Sequence, residues 1–126
     1  MGELLDAVAS VFDRMESKLK DIEMKNLEKV DDPEKLKLAI AQAIDVVRKG
    51  REECLEELKR LEEEVEKGGL SKEEFLNKAD ECIKKVLDEA KGHLGKDQTG
   101  VKTAKATFSR CVNSYKRRLW KKLLES

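Results

Sequence analysis

Apolar residues recur along this chain at intervals of three and four. Leu4, Leu5, Val8, Phe12, Met15, Leu19, Ile22 and Leu27 fall on one stripe of a helix, because 3.6 residues per turn return such positions to the same face. The pattern predicts a first helix over 2–30. Asp31-Asp32-Pro33 then reads as a stop followed by a start. Asp32 suits an N-cap, and Pro33 suits the first helical position, where no N–H is needed.

A longer seam follows. Leu36, Ile40, Ala43, Ile44, Val47, Cys54, Leu55, Leu58, Leu61 and Val65 predict a second helix over 33–67. Gly50 interrupts the seam without shifting its phase, so one helix is expected, with Gly50 as the place where it would bend and a local opening near Arg51. Gly68-Gly69 supplies residues that accept the left-handed cap conformation. Ser71 and Glu74 then form a capping box, opening a third helix over 72–91 with Phe75, Leu76, Ala79, Cys82, Ile83, Val86, Leu87 and Ala90 on its apolar face. After a loop over 92–100, a fourth helix is expected over 101–124, burying Val101, Ala104, Phe108, Cys111, Val112, Tyr115 and Leu119.

Four amphipathic helices with short connections predict an all-α, antiparallel four-helix bundle in a single domain over 1–126. The second helix is the longest, so the first hairpin is expected to be coiled-coil-like. Either it folds over at Gly50 or it projects and exposes a seam that a second copy would cover, which makes a homodimer the expected assembly.

Composition sharpens this reading. Charged residues make up 43% of the 126 residues and hydrophobic ones 39%, against about 25% charged in an average domain. One proline and five aromatics leave little material for a sheet. No apolar run reaches the ~20 residues of a membrane span. The first ten residues hold Glu3 and Asp6 and no cationic run, which does not fit a signal peptide. Cys54, Cys82 and Cys111 are odd in number and lack a C-x-x-C spacing. They are expected to be unpaired, buried thiols in a reducing cytoplasm.

Chemistry-bearing motifs are sparse. A di-iron bundle needs Glu-x-x-His pairs, and the single histidine, His93, has no glutamate three residues before it. Glu53 with Glu56, and Glu63 with Glu66, match the first half of the magnesium motif of all-helical nucleotide pyrophosphatases, but no Glu-x-x-Asp follows in the third helix. These glutamates are expected on a solvated face, paired at i,i+4 as in Glu56–Arg60. The segment 95–103 falls short of a P-loop, because Val101 stands where lysine is required and no strand precedes it. Lys96 and Lys102 near the start of the fourth helix suggest at most an anion contact, with capping by Asp97 or Thr99 as the ordinary alternative. No enzyme, cofactor, metal or small-molecule substrate is expected; a metal-dependent hydrolase using the second-helix glutamates is a distant third reading.

The net charge of zero hides a division. Residues 101–126 hold eight Lys and Arg against Glu125, a net of +7, and residues 1–100 carry the balancing −7. The fourth helix is therefore the expected contact surface of a self-associating protein–protein interaction module. Binding of nucleic acid or an anionic membrane through the same helix is the alternative. Trp120 lies about 100° from Leu119 on the helical wheel, which predicts a place outside the core stripe and among cations. The expected partner-binding residues are Lys116, Arg117, Trp120, Lys121 and Leu124.

Overall fold

The computed structural model describes residues 2–95 and 99–126. Its helices are α1 (Glu3–Asn26), α2 (Pro33–Glu66), α3 (Lys72–Lys91) and α4 (Ala104–Glu125). Each packs on the next and α4 packs on α1, with a slighter diagonal contact between α1 and α3. The pairing direction follows from individual contacts. Glu16 meets Arg48 while Asp13 meets Arg51, so α1 and α2 are antiparallel. Lys72 reaches Leu123 while Asp80 reaches Trp120, which sets α3 against α4 in the same sense. This is the four-helix bundle that the apolar periodicity predicts.

Local chemistry sets most of the boundaries. Asp32 accepts from Lys35 N at 3.2 Å, and Pro33 opens α2. Ser71 and Glu74 complete a reciprocal capping box at α3. Two ends differ from expectation. α1 stops at Asn26, whose Nδ2 donates to Ile22 O at 2.8 Å, a local bond that competes with continued helix. α4 starts at Ala104 rather than 101, because Gly100 takes φ +73° and Thr99 Oγ1 accepts from Val101 N at 3.1 Å.

α1 has no capping side chain of its own, since Gly2 precedes it in a left-handed conformation. Glu62, near the end of α2, supplies one from across the bundle. Its Oε2 accepts from Leu4 N at 3.0 Å and Leu5 N at 3.1 Å, and the residue is buried. A carboxylate there satisfies donors that the helix cannot and meets the positive end of its dipole. The opposite pairing closes α4: Lys72 Nζ donates to Leu123 O at 3.2 Å, a cation at a helix C-terminus.

α2 runs unbroken through Gly50, from Pro33 to Glu66. Gly50 is buried, and a Cβ at that position would lie 2.8 Å from Val86 Cγ1, with Cγ2 closer still. The glycine is there because α3 comes too close for a side chain. One turn further along α2, Cys54 and Cys82 form a disulfide with a Cα–Cα distance of 6.0 Å. This corrects the expectation of three unpaired thiols: the antiparallel register sets positions 50 and 86, then 54 and 82, opposite each other. Only Cys111 is unpaired, and it is half-buried. Arg51 turns the other way and pairs with Asp13 on α1 at 3.0 Å.

The 34 residues of α2 span ~51 Å at 1.5 Å per residue, well beyond its neighbours. The expected projecting seam is nevertheless covered within the one chain. Leu36 and Ile40 are almost wholly buried, in one cluster with Leu94, Val30 and Val101 from the two connections at that end. Gly100 lies against Val30, where an added Cβ would sit 3.6 Å from its side chain. The connecting segments thus extend the bundle along the first turns of α2.

Candidate binding face on the fourth helix

α4 touches two neighbours, so it buries a wider arc than one stripe. Ala104, Phe108, Val112, Trp120 and Leu123 are buried, while Cys111, Tyr115 and Leu119 are only partly so. The buried set follows an i,i+4 row that ends at Trp120, which meets Asp80 on α3, and the partly buried set follows a second row whose Tyr115 meets Ser10 on α1.

Trp120 belongs to the first row, which corrects its expected place outside the bundle. It is 9% exposed, and its Nε1–H donates to Asp80 Oδ1 at 2.8 Å. Lys116 Nζ lies 2.9 Å from the same oxygen. One carboxylate on α3 therefore clasps two residues one turn apart on α4, satisfying the indole donor that burial would otherwise strand. On the α1 side, Tyr115 and Ser10 share a hydroxyl–hydroxyl hydrogen bond. The guanidinium carbons of Arg14 and Arg118 lie 5.5 and 6.0 Å from the Tyr115 ring centroid, within cation–π range.

The other cations of α4 have no such employment. Arg110, Arg117 and Lys121 are exposed on the outer side of the helix, with Leu124 beside them at 49% exposure. At 100° per residue these four fall within an arc of about 60°. Lys102 and Lys105 before them and Lys122 near the end are exposed as well. Among the described residues, none of these six cations meets a carboxylate. Of the residues expected to bind a partner, Arg117, Lys121 and Leu124 thus form a common outer face, whereas Lys116 and Trp120 serve the bundle. Arg110 extends that face and went unnamed in the expected site. Its i,i+7 relation to Arg117 was the available signal.

The carboxylates of α1–α3 are engaged more often. Glu16 binds Arg48 through both oxygens, at 2.8 and 2.9 Å, with Lys20 at 3.0 Å. The Arg48 hydrogen bonds are the main reason its pKa falls from 4.5 to about 2; partial desolvation opposes them, and Lys20 adds to them. The Asp21 carboxyl is likewise held low by Lys18 and Lys25, and the Asp88 carboxyl by Lys84.

Glu56 and Arg60 form no ion pair, contrary to expectation, and both are exposed. Among the described residues no three His, Cys, Asp or Glu side chains converge as a metal site would require. No described helix is long and apolar enough to cross a membrane. His93 is half-buried just past α3, its N–H donating to Ala90 O. Thr99 is buried and its Oγ1 accepts from Val101 N, three residues ahead of α4, whose own N-cap Thr103 makes no side-chain capping bond; Lys96 and Asp97 lie outside the described residues. Fold and surface define the class as an all-α four-helix bundle with one cationic outer helix face. A scan against protein-family models found no match, and searches of curated proteins and of solved structures found none.

Proposed function

We propose that this chain is a non-enzymatic binding module that docks an acidic protein surface onto the outer face of α4, through Arg110, Arg117, Lys121 and Leu124. The observation that carries this reading is a set of cations with no carboxylate partner among the described residues: Arg110, Arg117 and Lys121 on that face, Lys105 and Lys122 elsewhere on α4, and Lys102 just before it. Unpaired charges of one sign project a field that steers encounter and rejects like-charged surfaces. A membrane-bound helix needs a broad apolar face beside its cations. Here Trp120 is withdrawn into the bundle and Leu124 is the one large apolar side chain exposed on α4. Single-stranded nucleic acid is gripped by stacking on aromatic rings, and Tyr115 and Trp120 both make inward hydrogen bonds.

Self-association is part of the proposal in a changed form. The α2 seam is covered, so on a second copy α4 would meet some part of residues 1–100, which carry the balancing net charge of −7. The proposed address is the cytoplasm, where Cys54 and Cys82 would face a reducing thiol pool.

The test compares polyglutamate, phosphatidylserine vesicles and duplex DNA as ligands for the wild type and for Arg117→Glu/Lys121→Glu. Polyglutamate binding is expected to weaken at least tenfold in the variant and to fall with added salt, as electrostatic docking requires. Tighter binding of DNA or vesicles than of polyglutamate at physiological salt would sink the proposal. Light scattering at two protein concentrations reads self-association in the same samples.

A further inference from the structure

α2 and α3 leave a groove of about 540 Å³ along their outer side, and both disulfide cysteines line it. Buried Gly50 and Val86 line it too, as do exposed Glu53 and Glu57 from α2. The two sulfur-bearing residues are not equally accessible. Cys54 is 2% exposed, whereas Cys82 is half-buried. Thiol–disulfide exchange requires a thiolate to reach one sulfur of the bond, so access decides which sulfur is attacked.

We propose that the Cys54–Cys82 disulfide is a thiol-exchange site, approached through the α2–α3 groove and attacked at Cys82. An external thiolate forms a bond to Cys82 Sγ as the Cys54–Cys82 bond breaks. The electron pair leaves on Cys54 Sγ, which takes a proton from solvent. A second thiolate then attacks the external sulfur of the mixed disulfide, releasing Cys82 as a thiolate that is protonated in turn. The chain gains two electrons and two protons, and the two external thiols leave as their disulfide. The ligand class is a small thiol or dithiol; a groove of this size admits a tripeptide thiol. The helices keep their register through the exchange, because the close Gly50–Val86 packing one turn away is independent of the bond. This inference does not depend on the α4 docking proposal.

The experiment treats the full chain carrying Cys111→Ser, without denaturant, with reduced glutathione. Free thiols are quenched by iodoacetamide and adducts located by peptide mass spectrometry. The expected intermediate carries glutathione on Cys82 and carboxamidomethyl on Cys54. Opening should rise linearly with thiol concentration while far-ultraviolet circular dichroism holds its native value. Glu53→Trp, which places a bulky ring in the groove lining, should slow opening at least tenfold at unchanged helix content. Glutathione on Cys54, a rate independent of thiol concentration, or a rate unchanged by Glu53→Trp would each overturn the proposal. So would the absence of the disulfide from air-oxidised protein.

Discussion

The seam between α2 and α3 and the seam between α3 and α4 join antiparallel neighbours by opposite means. The first is close and covalent: Gly50 admits Val86, and Cys54 is bonded to Cys82. The second is clasped by polar groups, with Asp80 holding Trp120 and Lys116, and Lys72 closing the end of α4. The difference teaches how a helix so rich in cations stays in the bundle. α4 is tied by a few directed hydrogen bonds and its buried row, which leaves its outer charges uncommitted. The α2–α3 pair gives up side-chain volume for proximity and gains a crosslink.

Breaking the covalent tie should have the largest effect. Cys54→Ser/Cys82→Ser removes a bridge between residues 28 apart in sequence. The loop-closure argument puts the loss at about 3.5 kcal/mol, read as a fall in melting temperature of roughly 10 °C in a chain of this size. Gly50→Ala tests the proximity. Helix propensity alone favours alanine by about 1 kcal/mol, but overpacking against the Val86 methyls costs about 1–3 kcal/mol. Net destabilisation of about 1 kcal/mol, and at most about 2 kcal/mol, is expected in urea unfolding, and in a Val86→Ala background the same change should become neutral or stabilising.

On the other seam, Asp80→Ala strands the Trp120 indole N–H and leaves Lys116 without its partner. A loss of about 1.5 kcal/mol is expected, together with a red shift of the single-tryptophan emission as that end of α4 loosens. The smallest effect should come from Arg48→Ala on the exposed α1–α2 surface. It should return the Glu16 pKa from about 2 much of the way toward 4.5, as read by NMR titration. The native pKa lies below the unfolded one. The pair's contribution is therefore complete above pH 4.5, declines as pH falls toward 2, and is removed by the substitution. Solvent screening holds that contribution below about 1 kcal/mol.

Much of the architecture is legible without coordinates. Helix number, the Asp32-Pro33 start, the Ser71–Glu74 box and most of the buried stripe follow from local rules, because capping and periodicity act within a few residues. The exceptions fall where two elements meet. An apolar wheel centred on Phe108, Cys111, Tyr115 and Leu119 turns Trp120 outward. The tertiary frame instead recruits the i,i+4 row through Val112 and Lys116, since Asp80 offers the indole an acceptor.

Glu62 reads as one more solvated glutamate, yet it caps a helix 58 residues away in sequence. The two cysteines read as inert hydrophobes until the hairpin register brings them together. On the candidate face, Arg117, Lys121 and Leu124 were recognisable from charge and spacing. That Lys116 is committed and Arg110 is not could be decided only by the neighbouring helix.

By itself, then, the sequence determined which segments are helical, where α2 and α3 start, most of each apolar face, and that the positive charge is concentrated in the last helix. These are properties of one turn and its immediate neighbours. The tertiary structure decided which cysteines pair, why position 50 has no side chain, and which cations of α4 lack a carboxylate partner. Each of those depends on the register and distance between helices, and no periodicity within a single helix encodes either one.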